Sequence, residues 1–375
     1  MAHVERILIV GGGIAGLTLA TALHQQGFRP ELIERSPAWQ ATGAGIAVQP
    51  NGMRVLHALG LGEAVEQAGT AIRRWDVCDQ QGEVLSSTDL EELWGDVGAF
   101  IGIARTSLQQ VLREGAAAVP CGLGTSITSL RQDGQRVAVG LNDGSVREYD
   151  LVVGADGLAS TVRQLTLSRV QPVYTGQMVW RSLAPVRPPG LSRVQFLLGE
   201  GCFFGLVPVG DGYTYGFGNV TGPRFHGSIA GRLVRLRQHF AAFEGPVQEF
   251  LAALICDERI YASPIEWLER EVWQSGRVVL IGDAAHASLP MMGQGGCLAM
   301  EDAWVLAGVL RGAESVEQAL DTYVMRRRAR VSWVRQQSRA VAESFNLPPS
   351  RRNAALREQG DQMMHARFSP LIPPP

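Results

Sequence analysis

Three short apolar runs without polar alternation mark the chain: Ile7 to Val10, Leu151 to Val153 and Val278 to Ile281. Runs of this length, apolar on both faces, predict strands buried inside a parallel sheet. A different period follows the first and the third. Leu17, Ala20 and Leu23 recur at helical spacing, and so do Leu298, Met300, Ala303, Val305, Leu306 and Val309. From 170 to 267 the pattern becomes a two-residue alternation, over Tyr174 to Ala184, Arg193 to Leu198, Phe203 to Val207 and Tyr213 to Val220. Such alternation predicts an antiparallel sheet with one covered face, and helices over Ser228 to Phe243 and Val247 to Leu254 are expected to pack on it. Arg74 to Asp79 and Val84 to Ser87 read as a hairpin around a Gln-Gln-Gly turn. Further hairpins are marked by Asp133-Gly134 and Asn142-Asp143-Gly144. Asn51 and Thr106 are expected to cap short helices, a long helix to run from Val316 to Ser344, and the tail from Asn346 to be irregular.

The joints after the buried runs carry the candidate chemistry. The first is Gly11-x-Gly13-x-x-Gly16 between strand and helix, with Ile14 and Ala15 opening the helix. In such a joint the first glycine allows the tight turn, the second lets a pyrophosphate reach backbone N–H groups, and the third lets helix and strand pack closely. A second strand, Glu31 to Glu34, ends in an acid at the spacing of a ribose-binding carboxylate, followed by Arg35. Dinucleotide binding is therefore expected. The second run leads into Asp156-Gly157, with Arg163 beyond, which is either a ligand turn at a strand's C-terminal end or a self-capped turn. The third leads into Gly282-Asp283-Ala-Ala-His286, Pro290 and Gly293-Gln294-Gly295-Gly296 at a helix start, where N–H groups and dipole favour an anionic or electron-rich edge. Arg105, at another helix start, pairs either with a phosphate or with a neighbouring acid. The expected class is α/β: a Rossmann-like domain from 1–72, 100–169 and 268–345, interleaved with an antiparallel-sheet α+β domain from 73–99 and 170–267, then a C-terminal long helix and the tail 346–375.

Composition narrows the partners. Thirty-four Lys+Arg against 36 Asp+Glu give a net charge of −2, and no basic stripe interleaved with aromatics appears, so nucleic acid is not expected. The arginines at 326, 327, 328 and 330 read as the solvated face of a helix. Five scattered cysteines without a Cys-x-x-Cys pair argue for free thiols in a reducing cytoplasm and against a metal site. No long apolar run near the C-terminus suggests a membrane anchor.

Taken together, the Gly11-x-Gly13-x-x-Gly16, Asp156-Gly157 and Gly282-Asp283-Ala-Ala-His286 motifs, with Pro290 and Gly293-Gln294-Gly295, resemble the class A flavoprotein monooxygenases, the p-hydroxybenzoate hydroxylase-like aromatic hydroxylases. The resemblance extends from residue 5 to about 340. It implies FAD as cofactor, NADH or NADPH as transient electron donor, O2 as co-substrate, and hydroxylation of a small aromatic or heteroaromatic substrate through a peroxyflavin, in a monomer or homodimer. Gly11, Gly13 and Gly16 would cradle the pyrophosphate, Glu34 the adenosine ribose, and Arg105 the ribityl and phosphate region. Asp156 and Gly157 would serve FAD and the nicotinamide donor, Asp283 the ribityl chain, and Gly293 to Gly296 the flavin N1–O2 edge. The loop from Gly45 to Gln49, including Val48, and the middle sheet would wall the substrate. The candidates there are Trp180, Arg181, Phe203, Phe204, Tyr213, Tyr215 and Phe217. Arg181 suits either an acidic or enolate-like ligand or a surface salt bridge, and His286 either carries a proton or supports the flavin edge. Rival readings are a reductase or halogenase of the same fold, or a flavin-binding sensor without turnover. The Trp-x-Trp-x-Ile-Pro segment and the lysine of halogenases are missing from this sequence.

Overall fold

The computed structural model describes residues 4–39, 44–166, 170–188, 191–225, 227–345 and 347–375. The expected class is observed. All three apolar runs lie side by side in a six-stranded sheet, ordered Gln274–Ser275, Val278–Leu280, Leu151–Gly154, Ile7–Val10, Pro30–Glu34, Cys121–Leu123. Only the Gln274–Ser275 edge is antiparallel. Ile9 pairs with Val153 on one side and with Leu32 on the other, and Val153 pairs with Val279. Ile7 to Val10 are buried, as a strand covered by helices on both faces requires. Because the three strands run parallel and in register, the turns after Val10, Gly154 and Leu280 emerge together at one sheet edge.

The alternating region folds into a seven-stranded sheet ordered Tyr261–Trp267, Val173–Ala184, Thr214–Thr221, Cys202–Pro208, Val194–Leu198, Arg74–Asp79, Val84–Asp89. The Arg74–Asp79 hairpin joins this sheet by parallel pairing with Val194–Leu198. Helices Arg232–His239 and Pro246–Ala252 cover one face, and both are shorter than expected from the sequence. The first begins only after Gly231, at φ 78°, where the Asp257 carboxylate accepts the N–H groups of Gly231 and Leu233. Gly45–Val48, Phe100–Ala104 and Thr70–Ile72 form a small antiparallel sheet. Val137–Leu141 is flanked by Ile127–Gln132 and Val146–Tyr149 in another.

Four expectations change. Asn51 and Thr106 cap nothing: the helices start at Pro50 and Arg105, and the Asn51 side chain is committed elsewhere. The tail is not irregular, since Pro349–Phe368 is a helix after the long helix Val316–Ser344. It is held by Arg352, which donates to the Gly199 carbonyl at 2.8 Å, and by Trp333 Nε1, which donates to the Arg367 carbonyl at 3.0 Å. Its scattered Leu356, Met364 and Phe368 find their apolar partners only in the folded chain. The arginine run is a solvated face only in part, since Arg326 and Arg328 are exposed as expected. Arg327 is fully buried and Arg330 nearly so, because the acids that neutralise them lie on the helix Gly295–Gly312 beneath.

Candidate active site

The glycine joint shows why each glycine is there. Gly11 adopts φ +112°, and a Cβ on it would fall 2.5 Å from the Ala155 carbonyl. A Cβ on Gly16 would fall 1.9 Å from the Gly11 carbonyl, so helix and strand pack through hydrogen atoms alone. Gly13 faces open space. That space is a cleft of about 230 Å³ whose walls include Gly11, Gly13, Glu34, Arg35, Asp156 and Gly157. The Glu34 carboxylate receives the Gly12 N–H at 2.8 Å and the Ser36 N–H at 2.9 Å, which fixes the acid at the mouth of the loop.

The self-capped turn expected at Asp156 is observed through one oxygen, and the other oxygen is left over. Oδ2 accepts the N–H groups of Thr161 and Val162 at 2.7 and 3.1 Å. Oδ1 is buried with no partner among the described residues. Burial raises the Asp156 pKa against those hydrogen bonds, so a donor from a bound molecule would be met favourably. Arg163 is a brace: it is fully buried and donates to the carbonyls of Ala284 and Leu158 at 2.8 and 2.6 Å, tying the second turn to the third.

At the third turn the motif divides into an exposed part and a buried one. Gly282, at φ +59°, sends its N–H to Asp302 Oδ2 at 2.9 Å. His286 Nε2 meets the same oxygen at 2.6 Å, while Arg327 Nε donates to Oδ1 at 2.7 Å. His286 is 3% exposed and packs on Trp273, so the proton-carrying reading gives way to one in which it positions the turn. Burial alone would push Asp302 up, but His286 and Arg327 outweigh it and hold the carboxyl at about 2. The Gln294 side chain also faces inward. It donates to Gln49 Oε1 at 2.7 Å and accepts from Asn51 Nδ2 at 2.9 Å, and Asn51 Nδ2 also donates to Glu301 at 3.0 Å. Gln49, Asn51, Glu301, Asp302 and Arg327 thus form a buried polar network under the loop that the motif reading missed. The signal was present as two adjacent acids, Glu301-Asp302, in the middle of an apolar helix.

Above this network the cleft is lined by charge. Asp283 and Pro290 are exposed, and Gly295 opens an 18-residue helix with its Cβ position 3.9 Å from Asp283 Oδ1. Gly293, at φ +62°, has its Cβ position 2.9 Å from Gln49 Nε2, and that of Gly296 lies 3.1 Å from Ile46. Arg105, Arg181, Asp283 and Tyr215 lie within each other's fields. Desolvation lowers the Arg105 pKa and Arg181 lowers it further, with Asp283 and Tyr215 opposing. Burial raises the Tyr215 pKa, opposed by Arg181 and Arg105, so the phenol stays protonated at neutral pH. Neither guanidinium has a carboxylate at ion-pair distance among the described residues, so the surface salt bridge expected as an alternative for Arg181 is not formed there. A Cβ on Gly45 would fall 2.4 Å from the Tyr215 ring, so the Gly45–Val48 strand closes directly on this tyrosine.

The strand register sorts the aromatic candidates. Arg181 pairs with Phe217, Leu183 with Tyr215, and Phe217 with Gly205, which puts Arg181, Tyr215 and Phe217 on one face. Trp180 and Phe204 stand on the other face as core, Trp180 against Phe225 and His239, Phe204 against Phe240 and Phe250. That packing sets both rings on the face opposite Arg181, Tyr215 and Phe217, away from where a shared wall was expected. Val48 is also core, buried above Gly52, and Tyr213 lies at the outer turn.

Comparison with known proteins now decides the family. Residues 5–186 and 263–338 match the FAD binding domain family. The chain belongs to it. It is a class A flavoprotein monooxygenase, and FAD is its cofactor. Among curated relatives, the Aurachin C monooxygenase/isomerase of Stigmatella aurantiaca is 37% identical over 320 residues, covering 84% of this chain and 83% of that protein. The 3-amino-4-hydroxybenzoate 2-monooxygenase of Streptomyces cremeus is 34% identical over 358 residues, 92% of this chain and 88% of that one. Klebsiella pneumoniae HpxO, solved with FAD and uric acid, superposes with a TM-score of 0.90 at 29% identity, covering 98% of this chain and 97% of that one. The cleft fits the cofactor on its own terms, through an open Gly13, an unpartnered buried Asp156 Oδ1 and exposed glycines at a helix start. No described helix is long and apolar enough to cross a membrane.

Proposed function

We propose that the flavoenzyme hydroxylates a small, electron-rich aromatic or heteroaromatic ring bearing an anionic or enolisable group, which Arg181 and Tyr215 receive. The observation that carries this is Arg181, half-buried on the sheet face it shares with Tyr215 and Phe217 and, like the exposed Arg105 near it, without a carboxylate at ion-pair distance among the described residues. Cations left unpaired in a partly desolvated cleft are costly unless a ligand supplies the countercharge. The names of the relatives support the substrate class: aminohydroxybenzoate, urate and a quinolone are all rings with ionisable substituents.

In this reading the segments around 1–72, 100–169 and 268–345 hold FAD, and the sheet of 73–99 and 170–267 holds substrate. The N–H groups of Gly11 to Gly13 and the helix that follows receive the pyrophosphate, Glu34 with Arg35 the adenosine end, and Asp156 and Asp283 hydroxyl groups between pyrophosphate and ring. The Gly293–Gly296 N–H groups and the dipole of their helix stabilise negative charge at the ring edge. Bound FAD supplies the redox chemistry and oxygen activation that side chains lack, with NADH or NADPH and O2 as co-substrates. The protein's own work is placement: Tyr215 and Phe217 present an apolar wall that excludes water, Arg181 orients the ring, and Pro290 lines the rim. Anaerobic reduction of the FAD-loaded protein by NADH or NADPH, with and without salicylate, 3-amino-4-hydroxybenzoate and urate, tests this. An aromatic should speed flavin reduction, and oxygen should then appear in product. Reduction indifferent to every ring, with hydrogen peroxide as the sole product, would overturn the reading.

A further inference from the structure

A second cavity lies beyond Phe217, between the sheet and the last helix. It has about 160 Å³ of space, and its walls include Phe196, Leu198, Met292, Val341, Leu356 and Met364. We infer that the substrate carries an apolar substituent, the size of a phenyl ring or a short alkyl chain, which enters this cavity while the reacting ring stays beside Arg181. The inference rests on the hydroxylase reading above.

Size, lining and continuity point to it. An apolar cavity of about 150 Å³ lined by Leu, Ile and Phe stays dry and accepts benzene. Emptiness on this scale is destabilising in proportion to volume, so a fold that keeps such a space gains by filling it. Two of the polar groups on the wall are occupied: Arg352 donates to the Gly199 carbonyl, and Ser344 to that of Val341. Arg367 touches Met363 Sδ at 4.0 Å, and its backbone carbonyl is used by Trp333. Four of the wall residues, Met291, Met292, Met363 and Met364, are flexible thioethers that adapt to an irregular guest.

A run of ring contacts leads from Tyr215 toward the cavity wall. Tyr215 stacks on Phe217 at 5.1 Å, and Phe217 meets Phe196 edge-on at 5.3 Å and Phe203 at 6.2 Å. Met291, next to Pro290 at the rim, packs in the same apolar cluster as Phe203, Phe217 and Phe345. A ring held at Arg181 and Tyr215 can therefore extend a substituent along Phe217 without crossing a polar surface. The cover is firmly built into the fold. Besides Arg352 and Trp333, Arg54 fastens the chain beyond the last helix by donating to the Ile372 carbonyl at 2.7 Å. The space takes one ring or chain, which suits a substituent and is too small for a peptide segment.

The test is equilibrium titration of the FAD-loaded protein with two series, 4-n-alkylphenols and 5-n-alkylsalicylates, each from the unsubstituted parent to hexyl, read by flavin absorbance. Binding should tighten roughly fourfold per added methylene and level off between butyl and hexyl as the cavity fills. Val341→Phe and Ala355→Phe place a ring in the space; each should flatten the series and leave the parent's affinity unchanged. Ala355 lies at the helix surface, so its variant remains informative if Val341→Phe folds poorly. A flat series in the natural protein, or an equal slope in both filled variants, overturns the inference. If parents are bound and oxygenated while chain length is without effect, this inference alone fails. If no member of either series binds, the hydroxylase reading of the cleft fails with it.

Discussion

The two faces of the seven-stranded sheet are built from the same strands and do opposite work. Trp180 and Phe204 look toward the helices Arg232–His239 and Pro246–Ala252 and are sealed in a core. One residue along each strand or its partner, Arg181, Tyr215 and Phe217 share the other face, where Arg181 has no carboxylate at ion-pair distance among the described residues, Tyr215 is buried under the Gly45–Val48 strand and Phe217 is half-buried. Aromatic content therefore does not mark a binding wall; the face does. The same contrast holds for arginines. Arg327 is buried between Glu301 and Asp302 and holds the fold together, while Arg181 has no carboxylate at ion-pair distance among the described residues.

The largest effect expected is on the core face. Phe204→Ala should cost about 3–5 kcal/mol of stability in denaturant unfolding, whereas Phe217→Ala should cost less and act mainly on substrate binding. Equal destabilisation by both, with substrate affinity intact in Phe217→Ala, would break the comparison. Among the arginines, Arg327→Met should lose about 3–5 kcal/mol, because two buried carboxylates lose the cation that lies between them. Arg181→Met should instead keep the melting temperature and FAD content while weakening an anionic ring by roughly 10- to 100-fold, about 1.4–2.7 kcal/mol. A stability loss in Arg181→Met comparable to that of Arg327→Met would sink the distinction.

Smaller effects sharpen the contrast by pH. Asp302 has a folded value of about 2 against an ordinary 3.8, so its ionised form is favoured by folding. Its contribution, about 2 kcal/mol, is present above pH 4 and is lost as pH falls through 2. Unfolding measured from pH 5 to pH 2 should show that loss in the natural protein, whereas Asp302→Asn should begin less stable and lack this component. Asp156 is shifted the other way by burial, so its charge opposes folding at neutral pH. Asp156→Asn should raise the stability of the FAD-free protein by under about 1 kcal/mol and weaken FAD a few-fold, since Oδ1 no longer offers a carboxylate. Calorimetry on FAD-free and FAD-loaded protein separates the two changes.

Much of the cofactor half was legible because its signals are local. An apolar run, a glycine at the turn and an acid at the strand end are fixed by neighbours within a few residues, and all three such turns do emerge at one sheet edge. The polar network was half legible. Glu301-Asp302 interrupts an apolar helix and announces buried partners, but the partners come from Gln49, Asn51, His286 and Arg327, far away in the chain. The family match includes Arg181 and leaves out residues 187–262, which carry Tyr215 and Phe217.

By itself, then, the sequence determined the parallel sheet, the three glycine-bearing turns at its strand ends and the presence of a second, antiparallel sheet, since periodicity and glycine sterics act over short distances. Tertiary structure alone decided which face of that sheet is wall and which is core, because a period of two assigns residues to faces without saying what covers each. It also decided that His286 and Arg327 are buried against Asp302 and that Pro349–Phe368 forms a helix over a cavity. Those outcomes depend on charges and apolar groups that meet only when distant segments have packed.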